Sequence, residues 1–424
     1  MLINTIFQHK AEKERLLAKT YITRKKYDFG MKYLSTPLIK VITGPRRAGK
    51  SVFALLLLKN KDFAYINFDD ENLLNLDNYD DLLKAIFEVY PKTNYILFDE
   101  IQNLPNWEIF VSKLHRRGYN LILTGSNARL LSRELSTALT GRFISLEILP
   151  FGFLEYLAAK KYYFSKEELN LPEKKGELSF HLKNYLVNGG FPEIVISDLY
   201  PKTYLETLFD AILLKDIVKR YNVRFSQKIS DIALYLSSNL SSEFSFNRLK
   251  NILEFRSTST LQNYLKYLEE AYLVFLLNRY SFKIKEQIKT AKKIYLVDNG
   301  LALAKSFQFS QNFGQLIENL VFIELVRKGY KLNNNLFCYQ TRNGRQIDFL
   351  LRKGLQVEKL IQVSSQIEDW QTREREVKAL KEASQELNCQ NLEIISWNKE
   401  GKEKIGHENE TITFTPLINF LLFD

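Results

Sequence analysis

Gly44 and Gly49 bracket four residues, and Lys50 and Ser51 follow directly, in the stretch GPRRAGKS. Two glycines at this spacing let consecutive backbone N–H groups turn inward around an anion without Cβ clashes. Gly44, Pro45, Arg46, Arg47, Ala48 and Gly49 would form the cradle. Lys50 would reach the outer phosphates, the Ser51 hydroxyl would ligate Mg²⁺, and Val52 would lie in the first helical turn, whose positive end faces the anion. Fifty residues on, NYILFDE ends an apolar run in two carboxylates, Asp99 and Glu100. Asp99 is placed to hold the metal and Glu100 to polarise a water, which is what in-line phosphoryl transfer needs. Lys50 and Glu100 are therefore the first candidate catalytic residues.

These side chains need strands to carry them. Five apolar runs near 38–43, 63–68, 94–99, 120–125 and 142–148 alternate with helical stretches, a pattern that predicts a parallel sheet covered on both faces. LILTGSN presents Ser126 and Asn127 as candidate sensors of the terminal phosphate. Arg142 stands at the start of the last run, where a fixed guanidinium suits transition-state charge. A glutamate after the carboxylate strand and a polar end on LILTGSN predict an extra strand between the phosphate-loop strand and the Asp99 strand.

Composition sets the limits. In 424 residues there is room for two to four domains. Sixty Lys and Arg against 49 Asp and Glu leave a net charge of +11, which allows a polyanion partner. Cys338 and Cys389 form no framework or zinc spacing, and the histidines at 9, 115, 181 and 407 share no ligand spacing. The early charges of MLINTIFQHKAEKERLLAKT and the absence of an apolar run of ~20 residues argue against a signal peptide or membrane span, so a cytoplasmic protein is expected.

In chain order GPRRAGKS, FDEIQNLPNWE, LTGSNARLL, LTGRFISLEILPFGFLEYL and GGFPEI resemble the AAA-like ATPases of bacteria and archaea related to the signal-transducing STAND group. The resemblance runs from about residue 20 almost to the end. It implies ATP as ligand, a role for Arg142 as the arginine of an L-x-G-R motif, and a turn in which Gly190 and Pro192 touch base and ribose. It matches Pro105 and Trp107 as well. It also implies a C-terminal part resembling a PD-(D/E)xK nuclease core.

Beyond the sheet, 151–224 read as a helical lid. Three helical stretches from Ser226 and then a strand pair outline a winged helix over 225–305. Its third helix, about Ser259 to Glu270, would offer Gln262, Asn263 and Lys266 to DNA with Arg256 just before it. Lys283, Lys285, Lys289, Lys292 and Lys293 would sit in or after the wing. In 306–424 the order helix, three strands, helix, strand carries Glu318 and Asp348 at two positions of a nuclease metal site. At the third, Gln362 and Ser364 replace the carboxylate and lysine, and Gln346 precedes Asp348, so nuclease catalysis is expected to be lost.

The expected protein is an α/β P-loop NTPase of the additional-strand class with a parallel sheet. Segment 1–35 is an N-terminal helical segment and 36–150 the ATPase core, followed by the lid, the winged-helix middle domain and a C-terminal α/β restriction-endonuclease-like domain. Its expected activity is Mg²⁺-dependent ATP hydrolysis that drives a conformational switch coupled to double-stranded DNA. The alternatives are a STAND-like switch that binds a protein partner or its own copies, and an ATP-gated nuclease.

Overall fold

A computed structural model describes residues 2–74, 76, 78–127, 141–197, 199–305, 313–405 and 410–423. The chain divides into two compact units, residues 1–151 with 270–272, and residues 152–269 with 273–424.

In the first unit α1 (Leu2–Leu17) and α2 (Tyr27–Leu34) precede β1 (Ile39–Thr43), α3 (Lys50–Leu58), β2 (Phe63–Asn67), α4 (Tyr79–Val89), β3 (Tyr95–Asp99), α5 (Trp107–Arg116), β4 (Asn120–Gly125) and β5 (Phe143–Glu147). All neighbours in the sheet are parallel, in the order β2-β3-β4-β1-β5. Strand β4 thus lies between β1 and β3, as the polar strand end predicted. Every residue of β1 is buried, which explains its run of apolar and β-branched residues on both faces. One face packs Val41, Ile66, Phe98 and Leu123 against α1, α4 and α5, and the other packs Ile42, Tyr65, Leu97 and Ile122 against α2 and α3.

The N-terminal helix α1 is fastened to the sheet by polar bonds as well. Lys13 donates to the Phe63 carbonyl at 3.0 Å, and His9 pairs with Asp70 at 3.1 Å. His9 thus has a local structural role.

The second unit opens with the helices α6 (Phe153–Ala159), α7 (Pro172–Asn188), α8 (Pro192–Ile196) and α9 (Pro201–Ala211), the last continued by a π-helix over Ile212–Lys219. Next come α10 (Ser226–Ser238), β6 (Glu243–Phe244), α11 (Phe246–Ile252), α12 (Thr258–Glu270), β7 (Val274–Asn278), α13 (Ile284–Lys289) and β8 (Lys292–Leu296). The three strands are antiparallel in the order β6-β8-β7, so the expected strand pair gains β6 on its edge and a six-residue helix at its turn.

Helices α14 (Asn299–Lys305) and α15 (Phe313–Arg327) lead into a mixed sheet of β9 (Leu336–Gln340), β10 (Gln346–Lys353), β11 (Gln356–Ser364), β12 (Leu392–Ser396), β13 (Gly401–Ile405) and β14 (Glu410–Pro416). Helix α16 (Trp370–Leu387) connects β11 to β12, and α17 (Leu417–Leu422) closes the described chain. The order is β13-β14-β12-β11-β10-β9, with β11, β12 and β14 parallel. The hairpin β13-β14 was not read from the sequence. No helix among the described residues is long and apolar enough to cross a membrane.

Candidate functional site

The loop after β1 has the backbone its glycines predict. Gly44 has φ 147°, and a Cβ there would come within 1.9 Å of the Ile148 carbonyl oxygen. Gly49, at φ 89°, turns the chain into α3, which begins at Lys50. Arg47 also takes a left-handed conformation, at φ 65°. Ala48 is buried and Arg47 exposed. Lys50 is buried, and its Nζ donates to the Pro45 carbonyl at 3.0 Å, so the lysine folds back over its own loop.

The Ser51 hydroxyl donates to Asp99 Oδ1 at 2.8 Å, which brings the two expected metal ligands together. Thr124, on β4, donates to the same oxygen, and Tyr65, on β2, donates to Oδ2 at 3.3 Å. Burial pushes the Asp99 carboxyl up to about 6, with the neighbouring Glu100 charge adding to it and the hydroxyls pulling the other way. A buried carboxylate answered by neutral hydroxyls fits a divalent cation, which would relieve the charge.

Glu100 follows β3 in a left-handed conformation, φ 52°, which turns its side chain out of the strand. Its backbone N–H donates to Thr124 Oγ1 at 3.1 Å, and Gln102 donates to its carboxylate. Ser126 and Asn127 are buried at the end of β4. Arg142 is exposed, while its carbonyl accepts the Ile39 N–H at 2.9 Å. The rest of LTGSNARLL and the start of LTGRFISLEIL fall in 128–140, outside the described residues, as does His407.

Sequence reasoning missed Thr124, Tyr65 and Arg24. Arg24 donates to the Ala48 carbonyl at 2.9 Å and to the Leu149 carbonyl, and its guanidinium lies 4.9 Å from the Phe151 ring centre. The available signal for Thr124 was its place inside LILTGSN, two residues before the sensor pair.

Residues 36–157 match the family described as AAA domain, 179–312 a domain of unknown function (DUF8612), and 313–417 another (DUF4143). The chain is 39% identical over 380 residues to the uncharacterized protein MJ1544 of Methanocaldococcus jannaschii, covering 87% of this chain and 84% of that one. It is 32% identical over 360 residues to a protein of Haemophilus influenzae, covering 80% and 86%. The chain belongs to the family of these two proteins, with an AAA domain at residues 36–157. A Walker-type ATPase of Pyrococcus abyssi is similar over 68% of this chain and 99% of its own, at 14% identity and a TM-score of 0.45.

The turn that follows the AAA domain in sequence, Gly189 to Pro192, wraps a buried carboxylate. Gly190 N–H donates to Asp298 Oδ2 at 2.7 Å, a Cβ on Gly189 would meet Asp298 Oδ1 at 1.9 Å, and Pro192 opens α8. On α12 and before it, Arg256, Gln262 and Asn263 are exposed and Lys266 is half-buried. Lys283 and Lys285 are exposed between β7 and β8.

Two expectations about lysine need correction. Lys293 is no wing lysine: β8 turns it inward, where its Nζ lies 2.6 Å from Glu318 and 2.7 Å from Asp348. Lys292 is also drawn in, with Nζ donating to Asn278 Oδ1. Glu318 and Asp348 are therefore ion-paired through one lysine, and Asp348 also accepts the Val363 backbone N–H at 2.9 Å. Burial and the Asp348 charge push Glu318 up to about 7, against the pull of Lys293. Gln362 is buried among hydrogen bonds with Asp348, Gln346 and Glu376.

Proposed function

We propose that the AAA domain hydrolyses ATP and that its nucleotide state sets the arrangement of a helical lid and a winged helix bound to double-stranded DNA. The hydrogen bond from Ser51 to Asp99 beside the glycine loop is the observation that carries the ATPase reading. Ser51 and Asp99 would hold Mg²⁺, which when bound neutralises charge on the phosphate oxygens. The backbone from Gly44 to Gly49 cradles the phosphates, with Val52 in the first turn of α3. Lys50, released from the Pro45 carbonyl, reaches the outer phosphates. Glu100, held in place from its backbone by Thr124 and at its carboxylate by Gln102, orients the attacking water. Asn127 senses the terminal phosphate, and Arg142 answers transition-state charge.

Helices α10, α11 and α12 with the antiparallel β6-β8-β7 support a winged helix. Exposed Arg256, Gln262, Asn263, Lys283 and Lys285 suit phosphate and base contacts, with Lys266 at the margin. A second reading, a STAND-like switch with a protein partner, draws on exposed Phe282, Ile284 and Ile288 in the same stretch as Lys283 and Lys285. Residues 306–424 are read as a nuclease-like fold without nuclease chemistry.

The test is steady-state ATP turnover of the wild type and Glu100→Gln, with and without duplex DNA, at low and moderate salt. Turnover should fall about 100-fold or more in the variant, within the range of general-base removal, and rise with DNA in a salt-sensitive way. Turnover that needs Glu100 but ignores DNA moves the reading to the protein-binding switch. Turnover unchanged in Glu100→Gln removes Glu100 from the mechanism.

A further inference from the structure

Lys293 belongs to the three-stranded sheet, yet its ammonium ends among residues of α15 and β10. Nζ lies 2.6 Å from Glu318 Oε1 and 2.7 Å from Asp348 Oδ1, and the residue is 2% exposed. Tyr295, two residues along β8 and so on the same face, donates to Glu318 Oε1 at 2.6 Å. Asp348 Oδ2 accepts the Val363 N–H at 2.9 Å. Gln362 Oε1 accepts the Asp348 N–H at 2.7 Å, and its Nε2 donates to the Gln346 backbone carbonyl at 3.0 Å and to Glu376.

These residues do not fit the divalent metal of a nuclease core. An ammonium already bridges the two carboxylates, and the oxygen of Gln362 is turned to the backbone. The charges agree with that occupancy. Three carboxylates around a divalent ion carry a net minus one, and so do the Glu318 and Asp348 carboxylates around one ammonium, with neutral Gln362 bonded to the Asp348 N–H. A third carboxylate at position 362 beside Lys293 would leave a second uncompensated buried charge, which proteins tolerate poorly.

We propose that the Lys293 ammonium is the resident cation of this site in place of a divalent metal, so that the C-terminal region keeps its fold without metal and cuts no phosphodiester bond. The proposal rests on the nuclease-like reading of 306–424 and is independent of the ATPase reading.

The test uses the full chain, with Asp99→Asn in every protein to remove metal binding at the AAA site. Terbium luminescence excited through tyrosine reports an ion next to Tyr295. The Asp99→Asn protein should show no saturable signal. Adding Lys293→Met with Gln362→Glu should raise the signal about tenfold, and adding Asp348→Asn should abolish the gain. A folded Lys293→Met/Gln362→Glu protein with no terbium signal overturns the proposal. So does a saturable signal before Lys293 is changed that Asp348→Asn removes. Should the double substitution fail to fold, the Asp99→Asn protein still decides: its Tm should be the same in EDTA and in Mn²⁺. A rise of several degrees that Asp348→Asn cancels overturns the proposal, as does Mn²⁺-dependent plasmid nicking lost in Asp348→Asn.

Discussion

Asp99 carries its charge where hydroxyls from Ser51, Thr124 and Tyr65 answer it. Its carboxyl titrates near 6 in the folded chain against about 4 when unfolded. Between those values the folded state keeps a proton that the unfolded state has released, so this group's contribution to stability falls as pH rises through that window. Above it, the ionised group is a standing cost until a cation arrives. Asp99→Asn should therefore raise the Tm of nucleotide-free protein in EDTA by a few degrees at pH 8, with the gain vanishing near pH 4, while turnover is lost. Scanning fluorimetry across pH checks both signs. Ser51, Asp99 and Glu100 were legible because their types sit at the ends of recognisable runs. Thr124 and Tyr65 were not, since both are ordinary strand formers whose reach across the sheet depends on strand order. Lys293 was misread because a lysine in a basic stretch carries no sign of the partners that folding brings to it.

Strand β1 and helix α3 hold the phosphate loop from within, and Arg24 braces it from outside by bonding the Ala48 and Leu149 carbonyls. Charge-assisted bonds of this kind contribute about 1.5–3 kcal/mol each. Arg24→Ala should weaken binding of a fluorescent ATP analogue about tenfold, and Arg24→Lys should not restore it, because an ammonium cannot span both carbonyls in the guanidinium's plane. Unchanged affinity in Arg24→Ala would show that the loop holds itself. The five strands of the first unit were legible to within a residue or so because each is an apolar run bounded by turns, and the polar end of β4 even located the inserted strand. The hairpin β13-β14 was not. Its sequence, GKEKI paired with ETITFTP, lacks the alternation of a half-buried strand on its first arm.

Two compact units predict two unfolding events, since multidomain chains depart from two-state behaviour. In calorimetry, Mg²⁺ with a slowly hydrolysed ATP analogue should raise one transition by several degrees and leave the other within about a degree, because a ligand stabilises the unit that binds it. Lys293→Met should lower only the second. Both transitions moving together in each case would mean that the units unfold as one. On the DNA reading, replacing Lys266, Lys283 and Lys285 together by Glu should abolish salt-sensitive retention of duplex DNA, measured by filter binding across a salt series. Retention unchanged would assign the net charge of +11 to general composition.

The ion-paired site joins a strand of the middle region to a helix and a strand of the C-terminal one, across the point at residues 312 and 313 where the two family matches meet. The two stretches are therefore not interchangeable parts. A gene rearrangement that passed on 313–424 without β8 would deliver Glu318 and Asp348 without their ammonium, and a recipient would have to bring a lysine of its own or recruit a metal from solution. Descent in this family should favour inheriting both stretches as a single piece.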